Sequence, residues 1–287
     1  MAFFLVGVVL LGWFISLYVG NPIILYIAII FALVMNIGSY WFADTIVIKM
    51  TGAQPLKKEE QPELYRAVEN LCITAGLPMP KLYIVNDPSP NAFATGRNVE
   101  HAAVAVTTGL LQILNRTELE GVLAHELSHI GNRDMLVSTV AVVLAGFVAI
   151  VANIFLRTRF ISGGGTRGGN RENNLGPIVL VLGIVGIILA PIAAQLMQLA
   201  ISRKREYLAD ASGALLTRYP EGLASALEKI SAYSRPMINA SPATAHLFIS
   251  DPFGGPEKGS VRSKISGLFA SHPPIKERVN ILRDMEV

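Results

Sequence analysis

The long apolar runs of this 287-residue sequence contain no charged residues. Residues 1–43, 135–156 and 176–201 contain none of the chain's 24 Lys and Arg or 21 Asp and Glu residues. Only 16% of the chain is charged as a result, against about 25% in an average soluble protein. Because the other segments have an ordinary soluble composition, the sequence predicts a globular domain joined to membrane segments.

Cysteine and basic runs are also scarce. The single cysteine, Cys72, excludes an intramolecular disulfide framework and any cysteine-based zinc or iron–sulfur cluster. The formal net charge is only +3, and no basic run is interleaved with aromatic residues. We therefore expect no nucleic-acid partner.

The apolar runs predict four transmembrane helices. Phe3–Val19 and Ile23–Ala43 are separated by Asn21-Pro22, a turn dipeptide that makes them a hairpin. A signal peptide is the alternative for the first run, but it has no basic segment before it and no small-residue cleavage pattern after it. Met135–Leu156 and Gly176–Ile201 would be about 33 and 39 Å long as helices, enough to cross a hydrocarbon core of about 30 Å. Helices buried in a protein core are the alternative for this second pair.

These runs divide the chain into four segments. We expect a transmembrane hairpin over 1–43, one part of a soluble domain over 44–134, a second hairpin over 135–201 and the rest of the soluble domain over 202–287. The Gly-rich stretch 157–174 lacks the Lys-Ser/Thr pair and the preceding strand of a phosphate loop, and so indicates a flexible linker. Because two crossings return the chain to the side it left, both soluble parts are predicted to share one side of the membrane.

Periodicity in the first soluble part predicts helices around a small β-sheet, and thus a fold that is mainly α. The predicted elements are one helix followed by three strands: Gln61–Gly76, Lys81–Val85, Ala92–Thr95 and Ala102–Thr107. A further helix is expected to begin at Thr117, whose Thr-Glu-Leu-Glu sequence has the form of a capping box with Glu120.

That helix contains an HExxH sequence. His125 and His129 lie four residues apart and therefore on one helical face, where both rings can bind one metal ion. Glu126 lies alongside, in reach of a water molecule on the metal. The spacing predicts a metal site; the alternative is that both rings only cap or pack.

A catalytic zinc site needs three protein ligands and one open position. Glu206 and Asp210 are also four residues apart on a predicted helix. Glu206 can complete a His-His-Glu site, and Asp210 can accept the free ring N–H of a ligand histidine. The alternative is a surface helix in which these acids pair with Arg203, Lys204 and Arg205. Beside an HExxH helix we favour the metal site, with one Zn²⁺ per chain.

The spacing to the apolar runs places this site near the bilayer. His129 lies six residues before the third run, and Glu206 lies five residues after the fourth. If the helices continue, both ligands lie about 8 to 9 Å from the apolar boundary. The metal is therefore expected just above the membrane surface, where it would meet polypeptide emerging from the bilayer.

In this order the motifs resemble those of the HtpX family of membrane-bound zinc metalloproteases, and more distantly those of the CAAX prenyl proteases. The shared features are two N-terminal apolar runs, NAFATG at Asn91–Gly96, HELSH, an apolar pair, SRKREYLAD, and SHPPIKER near the C-terminus. The resemblance covers nearly the whole chain. It implies an integral membrane protein with four transmembrane helices and a gluzincin-like zinc peptidase domain.

The resemblance also implies roles for the residues of the predicted metal site. His125, His129 and Glu206 match the family's zinc ligands. Glu126 matches its general base, and Asp210 falls where related zinc peptidases place a carboxylate that supports a ligand.

Residues elsewhere match the family's substrate-binding and late motifs. His272 is expected to stabilise the tetrahedral intermediate, with an ordinary Pro-flanked helix start as the alternative, and Arg278 is expected to contact the substrate. His101 and His246 are left over and are interpreted as structural. A strand beside the cleft is expected to pair with an extended substrate through five residues: Asn91, Ala92, Phe93, Ala94 and Thr95.

The function implied by the resemblance is endoproteolysis of misfolded or damaged membrane proteins, a quality-control and stress-response task. The implied partners are polypeptide substrates and the lipid bilayer, in a multi-pass protein of the inner (cytoplasmic) cell membrane with its catalytic domain facing the cytoplasm. Seven Lys and Arg residues near the apolar runs on the catalytic side, against four in 157–174, favour the same orientation.

Three other functions stay open. The first is a processing peptidase similar to the CAAX prenyl proteases. The second is a non-catalytic membrane zinc-binding module, against which Glu126 argues because a structural site needs no base. The third is a transporter component, which would place ionisable residues inside the spans.

The four-span topology predicts that the loop 157–174 lies on the face opposite the soluble parts. In sealed, oriented membrane vesicles, a protease added to that opposite face should cut within 157–174, and a protease added to the catalytic face should not. Cleavage only from the catalytic face would refute the topology.

Overall fold

The computed structural model describes most of the chain, over residues 2–146, 202–233, 235–241, 243–254 and 273–286. The fourth apolar run, the Gly-rich loop 157–174 and His272 lie outside these residues, as does the end of the third run. The described residues form two compact units, one of 2–41 with 141–146 and one of 42–140 with the chain from 202 onward.

The first unit begins with a helical hairpin. Helix α1 (Ala2–Val19) and helix α2 (Ile23–Thr51) are joined by the predicted Asn21-Pro22 turn. The Asn21 side-chain oxygen accepts a hydrogen bond from the Ile23 N–H at 3.0 Å, which supports the first turn of α2. A methyl group added at Gly12 would collide with Ala28, so the two helices approach closely at small residues.

One helical segment in the described part of the chain is long and apolar enough to cross a membrane. This segment, Ile23–Phe42, has 20 residues and a mean hydropathy of 2.2. Leu5–Leu17 and Met135–Gly146 are shorter apolar helices. Length and composition therefore single out one span, and the prediction of four spans stays a prediction.

The second unit combines further helices with a four-stranded sheet. The described chain is thus mainly helical with a small mixed sheet, which confirms that part of the predicted fold class. The remaining described helices are α3 (Pro62–Ala75), α4 (Thr108–Ile113), α5 (Arg116–Gly131), α6 (Met135–Gly146), α7 (Arg203–Thr217), α8 (Pro220–Ala232) and α9 (Ile275–Arg283), and residues 141–146 of α6 belong to the first unit.

The sheet has the order β1-β2-β4-β3. Its strands are β1 (Gln54–Pro55), β2 (Lys81–Val85), β3 (Ala92–Gly96) and β4 (Ala102–Thr107). β2 pairs parallel with β4, whereas β1 pairs antiparallel with β2 and β3 antiparallel with β4. The three predicted strands are confirmed, and the two-residue β1 is an addition. β3 lies at one edge of the sheet.

Helix α5 begins one residue before the predicted start, and its predicted cap is wrong. Asn115 is the N-cap: its side-chain oxygen accepts from the Glu118 N–H at 3.0 Å, and a Glu118 carboxylate oxygen accepts from the Asn115 N–H at 2.8 Å. Thr117 and Glu120 have the same spacing, but Asn is the stronger N-cap residue. Glu118 is also held by Ser225 and Lys229 of α8, at 2.7 and 2.8 Å, which adds a tertiary reason for this register.

Helix α5 is buried along most of its length and touches two neighbouring helices backbone to backbone. A Cβ added at Gly121 would lie 2.7 Å from the Leu223 backbone nitrogen of α8. One added at Gly213 of α7 would lie 2.9 Å from the His125 backbone nitrogen of α5. The absence of a side chain at these glycines lets α7 and α8 approach α5 closely enough for side chains from all three helices to meet.

Replacing Gly121 with alanine should force α5 and α8 apart. Because the new methyl group would meet backbone rather than a flexible side chain, we expect a loss of about 1–3 kcal/mol of folding stability. The midpoint of thermal unfolding in detergent would report this loss.

Gly131→Ala in the same helix is the matched control, because its Cβ would meet only Leu77 side-chain atoms at ordinary distances of 3.7 and 3.9 Å. This variant should be as stable as the wild type or slightly more so. Equal stability of both variants would contradict the close backbone contact.

Candidate metal centre

The crossing of α5 and α7 brings three potential metal ligands together. His125 and His129 project from one face of α5, and Glu206 projects from the first turn of α7. One ligand atom from each residue lies within 4.8 Å of the others. The structure thus brings together the three residues that the sequence predicts as metal ligands, although they are up to 81 positions apart in the chain.

The distances between the ligand atoms fit a zinc ion. The two Nε2 atoms are 3.2 Å apart. The Glu206 carboxylate oxygens lie 3.8 Å from Nε2 of His125 and 3.5 Å from Nε2 of His129. Tetrahedral zinc with bonds of about 2.0–2.1 Å separates its ligands by about 3.3 Å. Two imidazoles and one carboxylate are also ligands that zinc accepts, and three of them leave a fourth position open.

A buried ion pair of Asp210 and Arg278 contacts the ring of His125. His125 Nδ1 lies 2.9 Å from an Asp210 oxygen, so that Nε2 is turned toward the other ligands. Arg278 donates to both oxygens of Asp210, at 2.8 and 2.7 Å. Burial alone would raise the pKa of Asp210, but the Arg278 charge and hydrogen bonds, together with His125, lower it to about 2. Asp210 therefore stays ionised against the imidazole.

The expected contact between Arg278 and substrate is not what the structure shows. Arg278 is 0% exposed, the largest side chain among the fully buried ones in the described chain. Its guanidinium group faces Asp210 and also donates to the Ile249 carbonyl oxygen at 3.4 Å. Because the whole side chain is enclosed, Arg278 acts on the site through Asp210 rather than by touching substrate.

The second histidine has a carboxylate partner that the sequence analysis did not identify. His129 Nδ1 lies 3.3 Å from an oxygen of Asp134, which comes just after α5. The pair Gly131-Asn132 is typical of a helix end, so the sequence predicts that the chain turns back there and that the next residues, Asp134 among them, lie near the end of α5. Burial lowers the pKa of His129, but Asp134, Glu206 and Glu126 outweigh it and the pKa is raised. Burial dominates at His125, whose pKa is lowered.

Glu126 lies beside the three ligands and is almost fully enclosed, at 2% exposure. Burial raises the pKa of its carboxyl group to about 7, against the lowering effect of the His129 charge. The negative charge of Glu206 raises the pKa further, whereas Arg278 and a hydrogen bond from the Ala94 backbone lower it. A carboxyl group with this pKa exchanges its proton readily near neutral pH.

The predicted substrate-binding residues form the edge strand β3 and its entry. The Ala94 backbone contacts Glu126, so β3 borders the candidate site. Asn91 anchors the strand by exchanging two hydrogen bonds with the Ser250 backbone, at 2.9 and 3.2 Å. Ala92, Phe93 and Thr95 are at most 1% exposed, backbone included, and Ala94 is 7% exposed. The strand is therefore enclosed in this structure, with Ala94 as its most exposed alanine.

The remaining histidines lie apart from the three ligands or outside the described residues. His101 Nδ1 lies 2.8 Å from the Asn98 side-chain oxygen, and His246 Nε2 lies 3.2 Å from the Ser138 carbonyl oxygen. His272 lies outside the described residues.

Comparison with known proteins points to one family. The profile of peptidase family M48 matches residues 58–286. The chain is 48% identical over 258 residues to the protease HtpX homolog of Caldanaerobacter subterraneus subsp. tengcongensis, covering 90% of this chain and 83% of that protein. It is 50% identical over 269 residues to the protease HtpX homolog of Syntrophobacter fumaroxidans, covering 93% and 92%.

The fold is similar to that in the crystal structure of S. mikatae Ste24p. The TM-score is 0.51 at 20% sequence identity, and the match covers 91% of this chain and 58% of the Ste24p chain. At this identity the likeness concerns the fold alone.

The pairing of Asp210 with Arg278 predicts two separable effects. Asp210→Ala should leave Arg278 buried and unpaired, which costs about 3–5 kcal/mol of stability. It should also free the His125 ring and weaken Zn²⁺ binding about 10- to 100-fold. Unfolding midpoints and chelator competition in detergent measure the two effects.

The double variant Asp210→Leu with Arg278→Met distinguishes these effects, because apolar replacement of both partners removes the unpaired charge. Stability should largely return while Zn²⁺ binding stays weak. Wild-type affinity in Asp210→Ala would show that Asp210 does not support His125.

Proposed function

The chain belongs to peptidase family M48 and is a metalloprotease of the HtpX type, and we propose that it is a zinc-dependent membrane endopeptidase acting on misfolded or damaged membrane proteins. The observation that carries the proposal is the meeting of two imidazole Nε2 atoms and one carboxylate within 3.2–3.8 Å. A buried carboxyl group with a pKa of about 7 lies beside them. This combination supplies the ligands and the base of a hydrolase.

His125, His129 and Glu206 would hold one Zn²⁺ per chain. When bound, the ion supplies Lewis acidity that lowers the pKa of a water molecule and polarises a peptide carbonyl. Asp210 keeps the His125 ring in the orientation that presents Nε2. Its charge is maintained by Arg278, so the ligand geometry is fixed before any substrate arrives.

Glu126 would carry the proton. As a carboxylate it takes a proton from the attacking water, and as a carboxylic acid it delivers that proton to the leaving amine. A pKa of about 7 suits both steps, because neither form is strongly favoured near neutral pH. The hydrogen bond to the Ala94 backbone fixes the carboxyl group at the edge of β3.

The substrate would bind as an extended segment along β3. β3 is an edge strand whose backbone borders Glu126, and an edge strand can add a further strand by β-augmentation. The Ile249 N–H already donates to the Ala92 carbonyl oxygen at 3.0 Å, and the Gly96 N–H donates to the Thr139 hydroxyl oxygen at 3.3 Å. Pairing with substrate would therefore be confined to the backbone between these two contacts, at Ala94. A segment must be unfolded to pair in this way, which favours misfolded proteins over native ones. His272 is proposed to stabilise the oxyanion.

The membrane setting supports the choice of substrate. Ile23–Phe42 is long and apolar enough to span a bilayer. We propose four spans, over the apolar runs of the sequence, in the inner cell membrane with the peptidase domain on the cytoplasmic side. His129 is only six residues from the third apolar run, so polypeptide leaving the bilayer would be near the site.

Glu126→Ala should abolish hydrolysis and keep the metal, because Glu126 transfers protons and is not a ligand. The expected fall in rate is about 10²–10⁴-fold. His129→Ala and Glu206→Ala should lose both activity and metal. The proteins are purified in detergent under chelator, Zn²⁺ is added back, and bound zinc is measured beside hydrolysis of an unfolded protein.

His101→Ala is the matched control, because His101 contacts Asn98 outside the site. This variant should keep both zinc and activity. A near wild-type rate in Glu126→Ala would refute the role of Glu126 and favour a different base. Zinc binding without hydrolysis in the wild type, across several substrates, would favour the non-catalytic module.

A further inference from the structure

The chain reverses direction immediately after α5 through a Schellman turn. The Asp134 N–H donates to the His129 carbonyl oxygen at 3.0 Å, and the Arg133 N–H donates to the Ile130 carbonyl oxygen at 3.1 Å. This pair of bonds requires a left-handed residue between helix and exit, and Arg133 takes that conformation with φ of 60°. An arginine there is strained, since glycine is the residue that favours positive φ.

The turn determines which side chains meet. In a Schellman turn the second residue after the cap lies over the third-last residue of the helix, and the contact between them is usually apolar. Here these two positions are Asp134 and His129. The contact is instead polar, with an Asp134 oxygen 3.3 Å from His129 Nδ1. The backbone geometry of the turn therefore places the Asp134 carboxylate beside the edge of the His129 ring that faces away from Glu206 and His125.

The other oxygen of Asp134 faces the second helix of the site. It lies 3.8 Å from Nη1 of Arg205, the residue that precedes Glu206 in α7. Arg205 and Asp134 are both more than three-quarters buried, at 24% and 14% side-chain exposure. Asp134 thus contacts one ligand directly and the neighbour of another.

The two histidines have matching surroundings. Nδ1 of His125 contacts Asp210, which in turn pairs with Arg278. Nδ1 of His129 contacts Asp134, which in turn pairs with Arg205. In both cases a carboxylate lies at Nδ1 and an arginine lies against that carboxylate. Arg278 donates to both Asp210 oxygens, whereas Arg205 lies near the Asp134 oxygen that is turned away from His129.

We propose that Asp134 is a positioning residue of the metal centre. Its carboxylate holds the His129 ring in the tautomer and orientation that present Nε2 to the metal, and through Arg205 it ties this ring to the start of α7. The inference rests on the proposed function insofar as the site binds metal. Because Asp134 directly precedes Met135, the first residue of α6, the His129 ring is also linked to the start of that apolar helix.

The test compares Asp134→Ala and Asp134→Asn with the wild type, using Zn²⁺ for affinity and Co²⁺ for the visible absorption spectrum. Asp134→Ala should bind Zn²⁺ about 10- to 100-fold more weakly, and its Co²⁺ bands should change because His129 is no longer held. The Zn²⁺ affinity of Asp134→Asn should lie between those of the wild type and Asp134→Ala. Its amide oxygen still accepts a hydrogen bond from Nδ1 but carries no charge toward Arg205. This near-isosteric variant also keeps the test valid if Asp134→Ala does not fold.

Arg133→Gly is the matched control. It alters the neighbouring residue but favours the same left-handed turn, so affinity and Co²⁺ spectrum should match the wild type. If the Asp134 variants keep wild-type affinity and spectrum and only lower the unfolding midpoint of the metal-free protein, Asp134 is merely structural and the inference is wrong. If the wild type itself binds no Zn²⁺ or Co²⁺, the proposed function fails first, and this inference fails with it.

Discussion

The backbone contact between α5 and α7 is the constraint on which the site depends. Glu206, Asp210 and Gly213 follow one another at helical spacing on one face of α7. Gly213 lies against the His125 backbone, and the absence of a side chain there brings Glu206 within reach of both histidine rings and Asp210 within reach of the His125 ring. A larger residue at this point would move two functional carboxylates at once.

This close crossing concentrates charge in the protein interior. Asp210 and Arg278 satisfy each other through two hydrogen bonds, so their burial costs less than that of a single charge. Glu126 has no such cation bonded to it among the described residues, and burial accordingly raises its pKa to about 7. The same enclosure thus keeps one carboxylate ionised as a support and leaves another able to accept and release a proton.

Local spacing in the sequence is enough to predict the metal ligands. The role of Arg278 and the start of α5 depend instead on contacts between residues distant in sequence. His125 with His129 and Glu206 with Asp210 are each four apart, which the helical period alone places on one face. The burial of Arg278 depends on Asp210, 68 residues away. The start of α5 was misplaced because Asn115 and Thr117 have equal spacing to a glutamate, and Lys229 of α8 favours Glu118. The Gly131-Asn132 pair indicates that α5 ends there, but the left-handed residue that turns Asp134 back toward His129 is Arg133, a residue type that gives no sign of this conformation.

Zinc K-edge X-ray absorption on the zinc-loaded protein tests the central claim most directly. The account predicts one zinc per chain with two imidazole nitrogens at about 2.0–2.1 Å, carboxylate oxygen, and an additional oxygen from solvent. His129→Ala should remove this signature, and Glu126→Ala should leave it intact. A zinc signal without two imidazoles, or one that survives in His129→Ala, would show that the metal binds elsewhere and would contradict the account.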